Sequence, residues 1–161
     1  MMKQHIFSLL AIFIVSLILF FPVIFANRPL GLDSMGHLSK ISYLQEYSFP
    51  KWDFVWYGGA PFLGFYSPLF YYFVSFFDNL FFGVSFIIFL SIFLTSVGIY
   101  SLCFFYTKKF SYSLISSLFF LSVLSISYYY ISVGNHPYVF ALWTIPLSLF
   151  MLELSFKNKL Y

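Results

Sequence analysis

Charge is what this sequence lacks. Only 8% of its 161 residues are Asp, Glu, Lys or Arg, while 61% are hydrophobic. A soluble domain carries about a quarter charged residues, so this chain cannot cover a water-facing surface. Hydrocarbon is its main solvent. Cysteine is scarcer still. The single Cys103 lies inside an apolar run, which excludes an internal disulfide and any cysteine metal cluster and leaves a small buried side chain. There is no phosphate-cradling glycine loop, no H-E-x-x-H and no G-x-S-x-G. No repeat and no long soluble segment stands out. Ionisable residues are missing from the middle of the apolar runs, which argues against an ion pump or proton relay. The net charge of +3 comes from lysines at the ends of apolar runs, not from one basic face, so nucleic acid is not an expected partner.

What is abundant is aromatic and aliphatic. Aromatics make up 27% of the chain, with 26 Phe and 14 Tyr. Helices and closed barrels both satisfy the backbone in lipid, but a barrel strand alternates apolar and polar residues. Here the apolar runs are continuous, so helices are expected. Each crossing needs roughly 20 mostly apolar residues. The first run is Ile6 to Phe25, within a first span at 1–26. It is long for a signal-peptide core and more spans follow, so an uncleaved helix is the better reading. Further spans are expected at 84–106, at 111–133 and at 138–156, the third ending in the aromatic belt Tyr128-Tyr129-Tyr130. The fold class is an all-α membrane protein of about four transmembrane helices. An extracytoplasmic loop bearing amphipathic surface helices follows the first span.

That loop, 27–83, holds most of the polar chemistry. Leu38, Ile41 and Leu44 fall at helical spacing after Asp33 and Ser34, either of which can cap the helix start. The expectation is a short amphipathic helix at the membrane surface, ended by Pro50. Lys51 to Gly64, with two Trp, three Gly and a Pro, reads as an ordered irregular loop anchored by Trp52 and Trp56. Phe65 to Phe82 is interrupted by Asp78-Asn79 and suits an interfacial helix opened by Pro68 better than a span.

Charge bias sets the orientation. With the N-terminus in the cytoplasm, Lys3, Lys108, Lys109, Lys157 and Lys159 all lie inside, in short segments. Asp33, Glu46, Asp53 and Asp78 then lie outside. A multi-pass cell-membrane protein follows, its main loop extracytoplasmic.

Asp33 and His37 are four residues apart and share one helix face. A carboxylate beside an imidazole serves proton transfer or binds a divalent metal. The plainer alternative is a helix cap beside a surface histidine. Asp33 follows a span closely, so it is pinned at the membrane surface, where a lipid-linked headgroup comes within reach. Arg28 and Lys40 are near enough in sequence to hold a phosphate, or simply to touch headgroups. His136, in the turn Gly134-Asn135-His136-Pro137, is placed on the same side. It faces the Asp33 cluster or sits alone at the interface. Asp53 pairs with Lys51 or Lys40, or meets a polar ligand. Trp56 and Tyr57 stack on a sugar ring or anchor the loop in the interface.

Four segments together resemble a known pattern: Gly31 to His37, Phe49-Pro50-Lys51-Trp52, Tyr57-Gly58-Gly59-Ala60-Pro61, and Phe65-Tyr66-Ser67-Pro68-Leu69-Phe70-Tyr71-Tyr72. They look like the N-terminal region of GT-C type membrane glycosyltransferases. The nearest likeness is to the membrane family labelled 6-pyruvoyl-tetrahydropterin synthase-related. The resemblance implies sugar transfer from a polyprenyl-phosphate donor to an extracytoplasmic acceptor, with Asp33 as catalytic base or acceptor-positioning group and His37 as its companion. It implies Tyr66, in the aromatic-proline segment, among the substrate-contacting residues. The sequence assigns no cofactor, and a divalent metal is compatible with the acid. Enzymes of this type have many more spans, so the chain is expected to be an N-terminal part, or a small relative completed by a partner subunit. The competing function is a non-catalytic membrane protein, such as a transporter subunit or a lipid-binding assembly factor.

Overall fold

A computed structural model describes residues 2–25, 31–48, 52–53, 59–62, 68–126 and 134–159. Seven helices and one minimal β-pair make up these residues. They are α1 (Met2–Ile24), α2 (Ser34–Tyr47), α3 (Pro68–Ser75), α4 (Leu80–Thr107), α5 (Phe110–Ile126), α6 (His136–Ala141) and α7 (Thr144–Lys159). The architecture is all-α. Among the described residues three stretches are long and apolar enough to cross a membrane: Met2–Ile24, Leu80–Thr107 and His136–Phe156.

α4 is the hub, and α1, α5 and α7 pack against it. Its 28 residues extend about 42 Å, more than the ~30 Å of a hydrocarbon core. It begins earlier than the run at Val84 suggested, because Asn79 caps it, its side chain accepting from Phe82 N–H at 3.1 Å. Lys108 stops it in the left-handed conformation (φ 56°), its N–H bonded to Phe104 O at 3.0 Å. Glycine is the usual residue at such a cap.

Small polar residues mark the faces that pack. In α1 the buried positions Ser8, Ile12, Ser16, Phe20 and Val23 form one stripe. Ser117 of α5 donates to the Ser96 carbonyl of α4 at 2.7 Å, both residues fully buried. Gly98 lets α4 approach α7, since a Cβ there would lie 3.0 Å from Pro146 Cγ. Lipid helices lack a hydrophobic drive toward one another, and small residues permit the close contact that replaces it. Large apolar side chains point outward instead, such as Phe7, Ile18, Ile115 and Phe119.

The chain's boundaries depart from expectation in several places. The expected fourth span falls within the apolar stretch His136–Phe156 but carries a turn at residues 142–143, where α6 hands over to α7. Pro146 has no N–H for the carbonyl of Leu142, and Ile145 N–H reaches that carbonyl instead at 3.4 Å. α5, within the expected third span, has 17 residues, and the tyrosine belt at 128–130 lies outside the described residues. α3, at 8 residues, is far too short to cross. Ser48, with a positive φ of 42°, ends α2 before Pro50 is reached. The expected irregular loop carries a two-residue antiparallel pairing, Trp52 opposite Pro61 and Asp53 opposite Ala60. Tyr43 of α2 donates to the Trp52 carbonyl at 3.1 Å and so ties this pairing to the helix.

Candidate functional site

The site is built where α2, α3 and the start of α6 meet at one end of the bundle. α2 buries Leu38, Ile41 and Leu44, as their spacing predicted, but the same helix also buries His37 and Lys40. Beneath it lie Phe70, Tyr71 and Val74 of α3, all fully buried.

Asp33 occupies the N-cap position, yet its side chain makes no capping hydrogen bond. Oδ2 stands 3.5 Å from His37 Nε2 instead. The carboxylate is about half exposed while the imidazole is 2% exposed. The plainer expectation, a cap beside a surface histidine, therefore fails on both residues. On its other side, His37 Nδ1 is 2.7 Å from the hydroxyl of Tyr71. A tyrosine hydroxyl donating to Nδ1 leaves the neutral ring's proton on Nε2, the nitrogen facing Asp33. Burial pushes the His37 pKa below 6.5, and the Lys40 charge pushes the same way. Asp33 and a hydrogen bond that His37 donates to the Gly134 backbone oppose them without prevailing.

His136 joins this group from 102 residues away. Its Nε2 is 2.8 Å from Ser34 Oγ, and its ring lies 5.6 Å from that of His37. Phe70 stands against both imidazoles. Gly134 makes the approach possible. At φ +85° it presses the turn onto the start of α2, where a Cβ would meet Asp33 N at 2.8 Å and Ser34 N at 2.9 Å. Ser34 is thus engaged with His136, not reduced to the helix cap its position suggested.

Of the residues expected to act, the structure brings together Asp33, His37, Lys40 and His136. Asp53 enters the β-pair through its backbone. Its side chain, and Arg28, Trp56, Tyr57 and Tyr66, lie outside the described residues. Sequence reasoning passed over Tyr71, Phe70, Ser34 as a histidine partner and Gly134 as the pivot. Among the described residues no three His, Cys, Asp or Glu side chains converge as metal ligands. A depression of about 820 Å³ is lined by Met35, Leu38, Ser39, Ser42 and residues 78–81. It lies across α2 from Asp33 and His37, so it is not where this chemistry faces.

The arrangement is an exposed carboxylate backed by a buried neutral imidazole, itself held by a tyrosine. It can accept a proton from a group arriving at the surface and keep the acid's orientation fixed while doing so. Comparison with protein-family models, curated protein sequences and solved structures returns no match.

Proposed function

We propose that the chain is a membrane glycosyltransferase, or the N-terminal part of one, that uses a polyprenyl-phosphate sugar donor. The observation that carries this reading is the half-exposed Asp33 carboxylate, 3.5 Å from a buried His37. A purely structural carboxylate needs no such backing. The amino-acid resemblance supplies the reaction class, and the site's position beside the end of α1 suits a substrate anchored in lipid.

In this reading Asp33 takes the proton of an acceptor hydroxyl. The acceptor oxygen bonds to the anomeric carbon as that carbon's bond to the phosphate oxygen breaks. The polyprenyl phosphate leaves with the electron pair. His37 positions Asp33, and Tyr71 fixes the tautomer of His37. Lys40 and Arg28 favour the anionic phosphate, Lys40 as a buried charge within reach of the site. His136 holds the opposite wall through Ser34. Asp53, Trp56, Tyr57 and Tyr66 remain candidates for sugar and acceptor contact.

Asp33→Asn tests it. Membranes carrying the full chain are supplied with a panel of radiolabelled polyprenyl-monophosphate sugars. Loss of a general base lowers transfer by about 10²–10⁴-fold, with membrane insertion unchanged. Full activity in the variant removes Asp33 from the mechanism, and no transfer by the unaltered chain from any donor of the panel favours the non-catalytic alternative.

A further inference from the structure

At the opposite end of the bundle a second cavity opens between α1, α4 and α7, of about 460 Å³. Its floor is one continuous stripe of α4, Val97, Tyr100, Ser101, Phe104 and Phe105, ended by the cap residue Lys108. The five helical positions follow i, i+3, i+4, i+7, i+8, a single helix face. His5 and Leu9 of α1 form one wall, and Phe150 and Leu154 of α7 the other. The trough is apolar along its length and polar at its mouth.

Its dimensions match one leaflet. Val97 to Lys108 is eleven residues of helix, about 16 Å, and half a hydrocarbon core is ~15 Å. A chain lying in the trough would thus run from mid-bilayer to the headgroup level at Lys108.

The mouth is built for an anion. Lys108 Nζ sits over the rings of Phe105 at 4.6 Å and Phe104 at 5.9 Å. Among the described residues no carboxylate is in salt-bridge range of it. The Tyr100 hydroxyl is 2.9 Å from His5 Nδ1. If it donates there, the neutral ring's donor is Nε2. Lys3 of α1 stands at the same end, two residues before His5, while Lys109 turns away onto Tyr112. The nearby acid, Glu153, is taken by the hydroxyl of Tyr106. Ser101 spends its hydroxyl on the Val97 carbonyl and adds only its small size to the floor. Lys108 also occupies a left-handed position where glycine is usual. Backbone strain of that kind points to a use for the side chain.

We infer that this trough binds one anionic phospholipid of the surrounding leaflet, an acyl chain along α4 and the headgroup phosphate at Lys108 and His5. The full chain, purified in detergent, is incubated with phosphatidylglycerol or with phosphatidylcholine of the same acyl chains, and retention is read by native mass spectrometry. Phosphatidylglycerol is expected to be held about fivefold more strongly, the effect of one lysine near an anionic headgroup. Lys108→Gly suits the left-handed backbone and should erase that preference. Ser101→Phe fills the trough and should lower retention of both lipids. Lys109→Ala, whose lysine lies over Tyr112, should change nothing. Equal retention of the two lipids by the unaltered chain overturns the proposal. So does wild-type binding by Ser101→Phe, or an equal loss on Lys109→Ala. Retention of neither lipid overturns it as well.

Discussion

His37 is a titratable side chain withdrawn from water, and the groups around it pull its proton both ways. Burial dominates and holds its pKa below 6.5. The unfolded imidazole therefore binds a proton at higher pH than the folded one. Above 6.5 neither state is protonated and His37 adds no pH dependence. As pH falls through 6.5 toward the folded value, the unfolded state gains protons first and stability is lost. The loss approaches about 1.4 kcal/mol per pH unit across that window. Thermal melts of the purified chain should show a fall on acidification that is flattened in His37→Asn. Parallel curves for the two proteins would mean that His37 titrates alike folded and unfolded.

At this scale the sequence reveals the pair and hides its surroundings. Asp33 and His37 are four residues apart, and helical periodicity alone puts them on one face. His136 could be assigned to the same side because the spans alternate. Tyr71 could not be found. It is one aromatic in a Phe- and Tyr-rich run, 34 residues from His37, and nothing in its neighbourhood separates a hydrogen-bonding tyrosine from an interfacial one. Lys40 misleads for another reason. A lysine on a surface helix is expected to reach water, and only the packing of α2 onto its neighbours makes it 5% exposed.

At the scale of elements, the helices announce themselves by length and apolarity, but their packing faces do not announce themselves by hydrophobicity. A helix apolar all round gives no direction. In α1 the inward face is the one with serines, because lipid accepts large side chains and a neighbouring helix accepts small ones. The break before α7 was likewise encoded in Pro146 yet invisible as a gap in the apolar run. Gly98 is the case of close approach between two long helices. Gly98→Leu must displace Pro146 and Leu147, whose atoms lie 3.0 to 3.3 Å from the missing Cβ. Overpacking of this kind costs about 1–3 kcal/mol. The melting temperature in detergent should fall accordingly, and Gly98→Ala should fall less. Unchanged melting for Gly98→Leu would mean that α4 and α7 do not meet there.

For the molecule as a whole, the contacts sort the charges by end. His5 meets Tyr100 and Glu153 meets Tyr106, so the start of α1, the end of α4 and the end of α7 lie together. Ser34 meets His136 at the far end, beside Asp33. α1 and α5 thus run one way and α4 and α7 the other, with α3 crossing nothing. This order separates Lys3, Lys108 and Lys109 from Asp33, the arrangement that a positive-inside orientation requires. In a Cys103→Ser background, a single cysteine replaces either Met35, which is 62% exposed, or Lys109. Intact cells are treated with a membrane-impermeant maleimide. Label is expected at position 35 from outside, and at 109 only after the membrane is opened. Labelling of 109 on intact cells would invert the protein. It would move Asp33 to the cytoplasmic face, out of reach of an extracytoplasmic acceptor, and leave the lipid trough in the outer leaflet.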